Sequence, residues 1–246
     1  MADAVGKIDI SRVLNNTFGV IMRHPAIYLG LSFLIIGVPN ALLQTMQGGY
    51  SSGPDGFAVS TNYSAQGFGF LALMLLSILL QATLIVATLN DLGGKPLSLG
   101  DCVSRAVKKL LPLIGLGIVM GLGIGFGLLL LIVPGIILYL MWVVATPVMM
   151  AEDRGIIDSL KRSADLTSGS KRMILVLLLI FFALAFVFGL FVAFFGSLGT
   201  VFLGIITLVS NTITGALQAA GVASIYVDLR TEKEGTDTSA LADIFA

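Results

Sequence analysis

Residues 110–151 read LLPLIGLGIVMGLGIGFGLLLLIVPGIILYLMWVVATPVMMA, with no charged side chain between Lys109 and Glu152. A helix rises about 1.5 Å per residue, so one crossing of a bilayer core needs ~20 apolar residues. The stretch is long enough for two crossings. Pro134-Gly135 is expected to form the tight outer turn between them, since Pro and Gly suit turn backbones.

The same gap recurs on both sides. No charge occurs between Arg172 and Asp228, and Asp55 is the sole charge between Arg23 and Asp91. Three gaps give six crossings, expected at about 26–46, 67–89, 110–133, from after Gly135 to 150, 173–195 and 200–226. All fourteen Lys and Arg residues fall in four short stretches between the gaps, on one side of the membrane. Short loops rich in Lys and Arg are retained in the cytoplasm, so both termini are expected there. Residues 47–66 form the long outer loop. Pro39 is expected to kink the first span by removing a backbone donor. Tyr28 and Tyr226 fall near the inner boundary, and Tyr50 and Tyr63 near the outer one, as interfacial rings.

The composition agrees. The chain is 57% hydrophobic and 11% charged, whereas roughly a quarter of a soluble domain is charged. A formal net charge of zero gives no attraction to nucleic acid. With one cysteine, Cys102, there is no intramolecular disulfide and no thiolate cluster. Charges at positions 3, 7, 9, 12 and 23 speak against a cleavable signal peptide, and the first span is expected to be its own anchor. The expectation is a single membrane domain, 1–246, with a cytoplasmic tail at 228–246 and no attached catalytic domain.

A repeat lies under this topology. Leu99, Cys102, Val103, Ala106, Val107 and Leu110 have the spacing of an amphipathic helix. Ile10, Val13, Leu14, Thr17, Phe18 and Ile21 have the same offsets, and Ile156, Ser159, Leu160, Ser163, Ala164 and Thr167 form a weaker copy. Asp101 with Arg105, and Asp158 with Arg162, add helix-favouring i,i+4 pairs worth ~0.2–0.5 kcal/mol each. The expected fold is all-α integral membrane: six transmembrane helices in three hairpins, each preceded by an interfacial amphipathic helix. The units are about 8–90, 98–150 and 155–227.

Candidate sites are few. On a helical wheel Gly117, Gly121 and Gly125 share one face of span three, with Gly123 and Gly127 almost opposite. Small residues let helices approach closely, so tight packing on two sides is expected. No Lys-Ser/Thr follows these glycines, which excludes a nucleotide loop. Ser77 and Gln81 in span two, and Thr207, Asn211, Thr214 and Gln218 in span six, form polar stripes expected to face the bundle interior. They either tie helices together or line a polar path. No ionisable group sits mid-span, which argues against a proton-coupled pump. His24 reads as an interfacial histidine and Cys102 as core packing. One His and one Cys supply neither a catalytic pair nor a zinc site. Glu152 and Asp153 precede the third surface helix, where acids suit the dipole. No cofactor and no metal is expected.

The stretch 133–173, VPGIILYLMWVVATPVMMAEDRGIIDSLKRSADLTSGSKRM, is the most distinctive. It resembles a broad group of poorly characterised bacterial six-helix membrane proteins, related to the membrane region attached to some glycerophosphodiester phosphodiesterases. The resemblance implies a bacterial cytoplasmic (inner) membrane and an all-helical fold. It brings no activity, because the phosphodiesterase chemistry belongs to a separate barrel without counterpart here. Pro134, Gly135, Glu152, Lys161, Arg162, Ser163 and Gly169 carry over as a structural signature. Gly169 fits the position that ends the third surface helix.

The function expected is non-enzymatic: a protein that organises or senses the membrane. Arg105, Lys108, Lys109, Lys161, Arg162, Lys171 and Arg172 form a basic collar for the headgroups of membrane lipids, anionic ones above all. The alternative is a transporter or channel for a small or lipidic solute along the polar stripes. An enzyme would have only Glu152, Asp153, Asp158 and nearby cations to work with.

Overall fold

The computed structural model describes residues 8–34, 63–196 and 200–235. They form α1 (Ile10–Arg23), α2 (Pro25–Ser32), α3 (Tyr63–Leu92), α4 (Leu99–Lys108) and α5 (Leu110–Leu130). Then follow α6 (Ile132–Trp142), α7 (Ala145–Glu152), α8 (Ile156–Thr167), α9 (Lys171–Gly196) and α10 (Thr200–Glu234). Among the described residues five segments are long and apolar enough to cross a membrane: Leu71–Leu92, Leu110–Leu130, Ile132–Glu152, Lys171–Phe195 and Ile205–Glu234. They match the second to sixth expected spans. Of the first span only α2 and its end are described. Pro39, Tyr50, Asp55, the loop at 47–62, residues 197–199 and the tail at 236–246 lie outside the described residues.

The three expected surface helices form, as α1, α4 and α8. Asp9 starts α1 by accepting from the backbone N–H groups of Ser11 and Arg12 at 2.9 and 3.3 Å, donors a helix start leaves open. Ser98 caps α4 by accepting from Asp101 N–H at 3.4 Å. Gly169 (φ +89°) follows the end of α8 in the left-handed region that glycine enters without strain. In all three helices the residues at offsets 3 and 7 are buried: Val13 and Thr17, Cys102 and Ala106, Ser159 and Ser163. α1 packs on α10, α4 on α3, and α8 on α6 and α7.

The core lies in the half of the bundle next to these helices. Leu84, Ile85, Met149, Met150, Ile174 and Tyr226 are fully or almost fully buried there, whereas Leu129, Leu130, Phe186 and Phe194 at the other end are exposed.

The structure corrects four expectations. The break between spans three and four falls at Leu131, and Pro134-Gly135 lie in the first turn of α6. Proline is tolerated there, where its missing N–H has no partner to lose. Gly135 instead allows a close crossing: a Cβ on Gly127 would come 2.9 Å from the Gly135 Cα. The glycines of α5 pack on one side only. A Cβ on Gly123 would meet the Trp142 ring at 2.5 Å and one on Gly115 the Ile156 side chain at 2.6 Å, whereas Gly117, Gly121 and Gly125 have open space. The helix of the sixth span does not stop at Tyr226 but runs on through Asp228 to Glu234. Its last turns are held by Arg230–Glu234 at 2.8 Å, Lys233 Nζ to the Asp165 carbonyl at 2.7 Å, and Ser170 to Glu232 at 3.3 Å. Finally, Tyr28 and Tyr226 are not interfacial rings. Both are fully buried, with hydroxyls bonded to Thr88 at 2.8 Å and Glu152 at 3.1 Å.

Candidate functional site

Each of the helices on which a surface helix lies carries an acid at or near its end, and each acid is engaged. Asp228 on α10 is buried and accepts from the Asp9 backbone N–H at 3.1 Å and from Arg12 Nη1 at 2.8 Å. Glu152 on α7 accepts from Arg154 Nε at 2.6 Å, Arg162 Nε at 3.3 Å and the Tyr226 hydroxyl at 3.1 Å. Arg162 also pairs with Glu234, which binds Arg230, and Arg230 donates to the Tyr226 oxygen at 3.3 Å. Asp91 on α3 pairs with Arg23 and lies 3.2 Å from His24 Nε2. These carboxylates join helices; their lone pairs are filled by cations and by backbone or hydroxyl donors. Among the described residues no group of three His, Cys, Asp or Glu could hold a metal ion.

Span four is broken for a reason that reaches the third surface helix. Its helix is interrupted at Val143–Val144, one turn before Pro147, whose ring removes a donor and crowds the preceding turn. The Met141 carbonyl accepts instead from Ser163 Oγ at 2.7 Å, with Thr167 Oγ1 at 3.4 Å. Pro147, Ser163, Thr167, Glu152 and Arg162 thus belong to one corner, which accounts for much of the distinctive stretch. Cys102 is buried under α4, and Asn90 Nδ2 lies 3.7 Å from its sulfur. Burial pushes its thiol pKa up, against the Asn90 hydrogen bond, which lowers it.

The seven collar cations divide. Arg162 is bound by Glu152 and Glu234, and Lys109 lies 2.7 Å from Asp153, so neither stands free. A basic residue in a surface loop finds an acid across the corner when the chain folds back. Lys108, Lys161 and Arg172 are exposed, and Lys171 is half-buried. Arg105 and Lys108 line a cavity together with Lys95, which the sequence reading left out. Asp91, Tyr226 and Asp228 were also overlooked as site residues. The spacing Tyr226, Arg230, Glu234 on one helix face was the available signal.

The polar stripes do not both face the interior. Asn211 and Gln218 are exposed, and Ser77, Gln81, Thr207 and Thr214 are half-buried. Ser77 Oγ bonds back to the Met74 carbonyl at 2.8 Å within its own helix. The face of α10 that is buried carries Thr212, Ala216, Ala219, Ala220 and Ala223 instead. Small side chains allow closer approach of neighbouring helices than Asn or Gln.

Residues 57–229 match the family described as Family of unknown function (DUF7544). No curated protein and no solved structure matches the chain.

Proposed function

We propose, for a chain that belongs to this family of unknown function, a non-enzymatic role in organising or sensing a membrane through its surface helices. The wider reading is a multi-pass protein of a bacterial cytoplasmic membrane, with six spans in three hairpins and both termini inside. The further kinship with the membrane region of glycerophosphodiester phosphodiesterases belongs to the same proposal.

One observation carries it. Each surface helix buries one face on the bundle and still exposes apolar side chains: Met22 is 77% exposed on α1, Val107 51% on α4 and Ile157 54% on α8. A helix with this pattern lies in the headgroup region, its apolar flank in the acyl boundary and its cations toward the headgroups. Lys108, Lys161 and Arg172 then attract anionic lipid at ~1 kcal/mol each.

The test is lipid enrichment. In bicelles of phosphatidylcholine and phosphatidylglycerol the chain is expected to enrich the anionic lipid around itself. Lys161→Gln with Arg172→Gln lowers that enrichment. Enrichment that both substitutions leave unchanged would sink the lipid part of the reading.

A further inference from the structure

Between the end of α3 and the polar side of α4 lies a cavity of about 470 Å³. Asn90, Lys95, Asp101, Ser104, Arg105 and Lys108 are on its wall. Three cations and one acid line it. The volume lies in the range of small-ligand sites.

The cations come from two directions. Lys95 is on the turn after α3, while Arg105 and Lys108 are one turn apart near the end of α4. Asn90 approaches from the floor, its amide aimed at Cys102 Sγ. Ser104 adds a hydroxyl donor from an exposed position. An array of guanidinium, ammonium and hydroxyl donors around one concavity suits the oxygens of a phosphate group.

We infer that this cavity is a binding site for a phosphate group, carried by the headgroup of an anionic lipid. The lipid source follows from the helix that forms the wall: Leu99 and Val107 on α4 are exposed and apolar. A helix with that flank lies at the depth of the headgroups, so the phosphate its polar side meets there is a lipid's. This rests on the lipid reading above and narrows it to one seat. Free phosphate shares the chemistry, and the experiment separates the two.

The full chain is reconstituted in nanodiscs of phosphatidylcholine with added phosphatidic acid, released, and weighed by native mass spectrometry. The expected result is one retained anionic lipid. Lys95→Gln/Arg105→Gln/Lys108→Gln binds it about 100-fold more weakly, from ~1 kcal/mol per cation. Lys233→Gln, a cation outside both the cavity and the collar, retains it. If both variants lose lipid equally, the seat is overturned. If no lipid is retained, inorganic phosphate is added to discs of phosphatidylcholine alone. A rise in melting temperature in wild type and not in the cavity variant keeps the site for a soluble phosphate and overturns the lipid source. No lipid and no phosphate effect overturns the site. Should the triple variant fail to fold, the single substitutions are compared with Arg105→Lys, which keeps the charge and is expected to bind more tightly than Arg105→Gln.

Discussion

Arg12 and Asp228 meet at 2.8 Å across 216 positions of sequence. Through them the first surface helix is fastened to the last span, as α4 is to α3 and α8 is to α7. Asp228 is 2% exposed and takes its second hydrogen bond from the Asp9 backbone.

Arg12→Ala leaves the buried carboxylate with one donor. A hydrogen bond to a charged group is worth about 1.5–3 kcal/mol, and Arg12 is half exposed, so a loss near the lower figure is expected. Thermal unfolding in detergent reads it. A melting temperature equal to wild type would show that the pair holds nothing.

Gly135→Ala and Gly121→Ala should act in opposite directions. A Cβ on Gly135 would fall 2.7 Å from the Leu128 backbone nitrogen, which cannot move aside, whereas Gly121 faces open space. Overpacking at the crossing costs about 1–3 kcal/mol. At Gly121 alanine is neutral or stabilises by up to about 1 kcal/mol through helix propensity. Equal melting temperatures for the two variants would contradict the close crossing.

Of two adjacent acids, only Glu152 should matter. Its side chain is 9% exposed and holds Arg154, Arg162 and Tyr226, whereas Asp153 is 76% exposed and pairs with Lys109 alone. Glu152→Ala leaves the buried Tyr226 hydroxyl without its acceptor while Arg162 keeps Glu234, at about 1–3 kcal/mol. Asp153→Asn removes an exposed ion pair, worth under about 1 kcal/mol. Asparagine also tolerates the left-handed backbone at this position (φ 52°). Comparable losses in chemical denaturation would refute the ranking.

Ser163→Ala frees the Met141 carbonyl, with Thr167 left as a longer partner. About 1 kcal/mol of stability is expected to go. Hydrogen exchange should quicken in α8 and the second half of span four before it does in α5. Uniform change along the chain would mean that the contact does not hold the break.

Cys102 should react slowly. Burial raises its pKa and limits access, and the thiolate is the nucleophile. In the folded chain alkylation is expected to lag at neutral pH and to accelerate only above the range of an ordinary thiol. Asn90→Leu removes the bond that lowers the pKa, so it slows labelling further if packing holds. Labelling as fast as in denatured protein would place the thiol in solvent.

Hydrophobic run length, the four clusters of Lys and Arg, and the 3.6-residue period of α1, α4 and α8 determined the helices by themselves. These are local properties: whether a segment can sit in lipid or along its surface depends on its own side chains. The tertiary structure alone decided the rest. It placed Pro134-Gly135 inside α6, left Gly121 open while closing Gly127, and turned Asn211 outward. It also bound Arg162 to Glu152 and Glu234 and put Lys95 and Arg105 on one cavity wall. Each of those outcomes depends on how one element packs against another. A charge or a glycine has no fixed role until folding brings a partner within a few ångströms.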